Sequence, residues 1–203
     1  MNTKTILLIG VGFTILCTVL VLFGVFNHTE AGLARPEMAW AKERFPLTVQ
    51  TTSYQTNRGA KEEARKVTIS AIDQVNLRLG FRALKYDAHG VTDITVTIGV
   101  PQNITLDAPA SFELMVLKES GGYYRLNANR NRLWKSCQIQ TSNTGTQDIL
   151  HAVLKHELGH CLGLDHDDFS SSIMYDMQSE WESGMPPTFT DSDRDLLRDL
   201  YAP

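Results

Sequence analysis

Positive charge is not in excess in this chain: 19 lysines and arginines stand against 23 aspartates and glutamates, for a net charge of −4 over 203 residues. Nucleic-acid binding needs a basic stripe or patch, so no nucleic-acid partner is expected. The nearest approach is Arg125, Arg130, Arg132 and Lys135 among the aromatics of "YYRLNANRNRLWK", which in an acidic chain reads as a solvated hairpin. Cysteine is scarce, with three in all, and Cys17 sits in no lipoprotein-type box because Leu16 occupies the small-residue place. Charge is missing altogether from "ILLIGVGFTILCTVLVLFGVF", residues 6–26. Histidine is sparse too, yet four of the six lie between His151 and His166.

That stretch, "HAVLKHELGHCLGLDHDDFSSSIMYD", contains His156, Glu157, His160, Gly163 and His166 in the order H-E-x-x-H-x-x-G-x-x-H. On a helix, residues four apart lie about 40° apart around the axis, so His156 and His160 converge on one point. Glu157 stands about 100° round from His156, beside that point, which suits a carboxylate that handles a metal-bound water and does not bind the metal. Glycine adopts positive φ, so Gly163 ends the helix and turns the chain to bring His166 back as a third ligand. Three neutral imidazoles leave a fourth zinc position open, the mark of a catalytic site as opposed to a structural one. His151 points about 140° away from His156 and reads as a packing or surface histidine. His89, in "DAHG", reads as a turn residue.

With the third histidine and the glycine in place, residues 147–203 resemble the C-terminal half of a metzincin metallopeptidase domain. The resemblance extends to Met174 in "SSSIMYD", which stands where metzincins carry the methionine of a tight turn under the metal. Within metzincins, "HELGHCLGLDH" followed by "SIMY" is matrixin-like, although Asp167 and Asp176 stand where matrixins usually have serine and proline. The resemblance implies one catalytic Zn2+ held by His156, His160 and His166, with Gly163 and Met174 supporting the site. It also implies a zinc endopeptidase: a zinc-bound water attacks the peptide carbonyl, with Glu157 as general base. A catalytically inactive zinc-containing binding module anchored to a membrane is the alternative. No cysteine resembles the propeptide switch of secreted matrixins.

The uncharged run 6–26 is long enough, at about 1.5 Å per residue, to span a bilayer core of about 30 Å. A cleavable signal has a shorter apolar core, of about 7 to 15 residues, so length favours a retained transmembrane anchor. A small-residue cleavage site exists at "AGLA", but eight residues past the run; cleavage there would make the protein secreted. Lys4 precedes the run, whereas Arg35, Lys42 and Arg44 follow it, so charge alone favours the opposite orientation. The peptidase resemblance implies a catalytic domain outside the cytoplasm. The expected organisation is a tail at 1–5, the anchor at 6–26, a polar linker at 27–44 and a catalytic domain at 45–203.

Within that domain "FPLTVQTTSY" alternates as a strand, and Ala64, Val67, Ala71, Ile72, Val75 and Leu79 share one face of a helix ending at Gly80. "TDITVTIGV" is a strand, "SFELMVL" another, and "LWKSCQIQT" a third with Leu133, Lys135, Cys137 and Ile139 on one face. A helix spans 146–162, and a last one opens at Thr190 with Leu196, Leu197, Leu200 and Tyr201 as its apolar side. This order predicts an α+β fold: a twisted mixed sheet, two long helices and a C-terminal helix, preceded by the transmembrane segment. The resemblance implies that an edge strand, 112–118 or 122–128, pairs antiparallel with substrate. Cys161 lies about 140° from His156, facing the core, and Cys137 faces it from its strand. The two can meet as a disulfide or remain two buried thiols.

Overall fold

The computed structural model describes residues 39–100, 114–118, 122–128, 133–141, 147–167, 171–175 and 188–203. The apolar run 6–26, the "AGLA" segment, and Arg130 and Arg132 lie outside the described residues. Among the described residues no helix is long and apolar enough to cross a membrane.

Among the described residues six strands form one sheet: β1 (Leu47–Ser53), β2 (Leu84–Tyr86), β3 (Ile94–Ile98), β4 (Leu114–Lys118), β5 (Gly122–Ala128) and β6 (Trp134–Thr141), in the order β2-β1-β3-β6-β5-β4. β1 pairs parallel with β2 and β3, and β3 parallel with β6; β5 runs antiparallel to β6 and to β4. Of the two strands left open as the edge, β4 is therefore outermost and β5 is covered. The helices are α1 (Arg58–Leu79), α2 (Gln147–Leu162) and α3 (Asp191–Tyr201). α1 packs on β1 and β2, α2 on β5 and β6, and the two helices touch each other, so both cover one face.

The elements form where local chemistry allows. Asn57 caps α1 by accepting from the Ala60 amide, and Gly80, at φ 73°, closes it in the left-handed region. Ala64, Ala71, Ile72, Val75 and Leu79 are buried, with Thr68 joining that face and donating its hydroxyl hydrogen bond to the Ala64 carbonyl. In β3, Ile94, Val96 and Ile98 are buried while the intervening threonines are half-buried, the alternation of a strand with one face on the core. β2 has only three residues, too few to show a period in the sequence. Asn76 holds it in place, accepting from the Ala83 and Leu84 amides and donating to the Leu84 carbonyl.

Two expectations are corrected. On β6, Lys135 does not share the buried face of Cys137 and Ile139: it is exposed, and Trp134 is buried in its stead. The register explains this, since Asn127 pairs with Ser136 but Ala128 with Trp134, leaving Lys135 as the extra residue of a bulge. The polar linker does not extend to residue 44. Ala39 bridges Leu133, Trp40 is 2% exposed, Lys42–Arg44 make a 3-10 turn, and Arg44 pairs with Asp93, so these residues belong to the folded domain.

Candidate metal centre

α2 is buried along most of its length, including His156, Glu157 and His160, all 0% exposed. Such a helix must satisfy its last carbonyls from within the protein, because water cannot reach them. Four donors do so. Gly163, at φ 103°, turns the chain so that its own amide returns to the His160 carbonyl and the Leu164 amide to that of Gly159. The Trp40 indole donates to the Cys161 carbonyl at 2.7 Å, and the Tyr201 hydroxyl to that of Leu162 at 3.1 Å. Burial pushes the Tyr201 phenol up to about 12.

The same turn orients the histidines. The His160 ring approaches the Leu164 carbonyl through Nδ1 at 2.8 Å, and the His156 ring approaches the Ile173 carbonyl through Nδ1 at 2.5 Å. A carbonyl only accepts, so in both rings Nδ1 carries the proton and Nε2 presents a lone pair. His166 arrives beyond Gly163, half-buried, and its neighbour Asp167 anchors it by donating its amide to the Met174 carbonyl at 2.9 Å. The ring centroids of His156 and His166 are 5.4 Å apart, and those of His160 and His166 are 4.8 Å apart.

The cluster suits a cation. Nε2 of His156 and Nε2 of His160 lie 3.0 Å apart, and with both Nδ1 atoms donating, two unprotonated nitrogens at that distance repel unless a cation takes up their lone pairs. Zinc–nitrogen bonds of about 2.0–2.1 Å in a tetrahedron put neighbouring nitrogens about 3.3 Å apart, close to this spacing. One ligand atom from each of the three histidines lies within 4.8 Å of the others, and an all-imidazole set suits zinc as well as copper, iron or nickel.

Met174 is wholly buried in the turn after His166. Its amide donates to Ser172 Oγ at 3.0 Å, and that hydroxyl in turn faces Asp193 Oδ2 at 3.4 Å. Asp193 also closes the capping box of α3, accepting from the Thr190 amide and hydroxyl. The carbonyl that orients His156 therefore sits in a turn pinned by the start of the last helix. Cys137 and Cys161 are joined by a disulfide with Cα atoms 5.7 Å apart, tying β6 to α2 one residue past His160.

Three contributors escaped the sequence reading. Gly159 lies between His156 and His160, and a Cβ there would meet Met174 Sδ at 2.4 Å and Phe189 Cε1 at 2.9 Å. A glycine in the middle of a helix was the available signal, since it costs about 1 kcal/mol against alanine and so marks a packing demand. Asp193, three after Thr190, was visible as a possible capping-box partner. Trp40 had no local signal. Outside the centre, His151 reaches across to Ser70 at 3.1 Å, its pKa lowered by burial and then by Lys155, and exposed His89 sits in a turn capped by Asp87.

No curated protein matches the chain. A family model described as Matrixin matches residues 39–202, from the bridge at Ala39 through the histidine helix to the end of α3. Over that span, four-fifths of its length, the chain belongs to the matrixins, a zinc metallopeptidase family.

Proposed function

We infer that this domain is a zinc endopeptidase whose metal is held by His156, His160 and His166, with Glu157 as the general base. The observation that carries the reading is the pair of Nε2 lone pairs set 3.0 Å apart by Nδ1 contacts to the Ile173 and Leu164 carbonyls. Zinc bound there would polarise the peptide carbonyl and lower the pKa of a coordinated water toward about 7. His156 and His160 act as preoriented donors, each ring fixed through its other nitrogen. Glu157, the next residue of the same buried helix turn, takes the proton of the attacking water and passes it to the leaving amine. Met174 and Gly163 hold the geometry without entering the chemistry. Residues 6–26 act as a membrane anchor with the domain outside the cytoplasm, a reading supported by their uncharged length and by a disulfide suited to an oxidising compartment.

Metal content and peptide hydrolysis measured side by side test the site. Glu157→Gln is expected to keep one zinc and lose at least about 10²-fold in hydrolysis, the usual contribution of a positioned base. His160→Ala is expected to lose both. Wild-type turnover by Glu157→Gln would show the assigned base to be wrong. A wild-type protein that holds zinc and cleaves no peptide in a diverse mixture would leave the binding-module alternative standing.

A further inference from the structure

Among the described residues the sheet has two open ends, because in the order β2-β1-β3-β6-β5-β4 the first and last strands each have one neighbour. α2 packs on β5 and β6, and the Cys137–Cys161 bond holds β6 to that helix. The β4 end is thus the one on the side of the helix that carries His156 and His160, and β2 lies three strands beyond β6 on the other side. An open strand edge is a template on which an extended peptide adds by main-chain hydrogen bonds. Strands lie about 4.8 Å apart, so a peptide paired to β5 would be one spacing from it, and a peptide on the far edge of β4 would be about 10 Å away. The position next to the strand that supports α2 is the outer edge of β5.

That edge is already filled. β4 pairs antiparallel with β5 over five residues, from Leu114 opposite Asn127 to Lys118 opposite Tyr123. The connection between the two strands is three residues long, so the covering segment is local to the strand it covers. Its sequence, LMVLK, opens with four apolar residues and carries no proline, unlike the charged or proline-guarded edges by which sheets discourage pairing. A short hairpin strand at a sheet edge is also among the least costly elements to open.

We propose that residues 114–118 compete in cis with peptide: β4 occupies the edge of β5 on which an extended peptide pairs, and gives way when such a peptide reaches the metal centre. The identity of the peptide as substrate rests on the peptidase reading above; the competition itself is a binding event and is tested as one.

The probe is a fluorescent peptide with the sequence of residues 112–120, FELMVLKES, titrated into the zinc-loaded full-length protein and followed by anisotropy. Adjacent strand residues direct their amides to opposite edges, so of Met115→Pro and Val116→Pro one removes an amide aimed at β5 and the other an amide aimed outward. The first should tighten peptide binding at least about tenfold over wild type, the second should leave it unchanged, and N-methylation of alternate peptide residues should abolish it. No tightening in either variant would overturn the proposal. Loss of binding on removing the outward amide would do so as well, because it would put the peptide on the far edge of β4. Should the inward proline variant fail to fold, Val116→Gly with Leu117→Gly weakens the strand more gently and should tighten binding by about threefold; unchanged binding there counts against the proposal equally. Tightening in a protein that holds zinc but cleaves nothing would refute the peptidase reading and leave the competition intact. Cleavage without tightening would do the reverse.

Discussion

Replacing Gly159 by alanine sets two effects of opposite sign against each other. Alanine is the better helix former by about 1 kcal/mol, and no positive φ demands glycine at this position, so a helix considered alone would gain. The tertiary contact reverses the sign. The new Cβ would stand 2.4 Å from Met174 Sδ, 2.9 Å from Phe189 Cε1 and 3.2 Å from Met174 Cε, where ordinary contact begins near 3.4 Å. Both neighbours lie inside the core, Met174 at 0% and Phe189 at 1% exposed, so any shift that relieves the contact must be taken up by the packing around them. Overpacking of this kind costs about 1–3 kcal/mol, so the variant should lose about 1 kcal/mol net in the metal-free state. A second consequence follows through the Met174 turn: moving Met174 moves the adjacent Ile173 carbonyl that orients His156, and losing such an outer contact weakens metal binding by about 10–100-fold. Thermal unfolding in chelator reads the first term, and zinc titration against a chromophoric chelator reads the second. Gly159→Ala with Met174→Ala removes the two sulfur-side contacts and should recover part of the zinc affinity, leaving the Phe189 contact unrelieved. A Gly159→Ala protein as stable as wild type, with unchanged zinc affinity, would refute the packing argument.

Cys137→Ala with Cys161→Ala opens a loop with a sequence separation of 24 and should cost about 3 kcal/mol in denaturant unfolding on the chain-entropy model; an unchanged midpoint would show the bond to be dispensable. Tyr201 links stability to high pH. Its folded pKa is raised from 10.0 to about 12, so its contribution is full below pH 10 and is lost as pH rises toward 12, because the unfolded chain gives up the proton first. Over that window stability should fall by about 2–3 kcal/mol from this group, and Tyr201→Phe should flatten the decline while costing about 1 kcal/mol at neutral pH through the lost bond to the Leu162 carbonyl; an equal alkaline slope in both proteins would contradict this. N-terminal sequencing of the purified protein should find the 6–26 segment still attached, and a soluble form starting at Arg35 would remove the anchor.

The convergence of the three histidines was legible in the sequence because its information is local. Residues four apart on a helix share a face whatever surrounds them, and Gly163 turns the chain at a fixed distance from His160, so the convergence of His156, His160 and His166 needs no knowledge of the rest of the fold. The same holds for α1, bounded by Asn57 and Gly80, and for β3, whose alternation is complete within five residues. Tertiary structure decided what depends on partners distant in the chain. Trp40 and Tyr201 cap the end of α2 from sequence separations of 121 and 39, and no pattern near either residue announces that role. Lys135 leaves the core because β5 and β6 slip by one residue, a property of the pairing and not of either strand. Strand order is likewise a contest among edges: the sequence leaves 112–118 and 122–128 as equal alternatives for the edge, and only the pairing of β5 with β6 on one side and β4 on the other sets which of them faces outward. Gly159 joins the two levels, since its place in the helix is written in the sequence, whereas the reason alanine cannot stand there is a sulfur atom fifteen residues away, delivered by the fold.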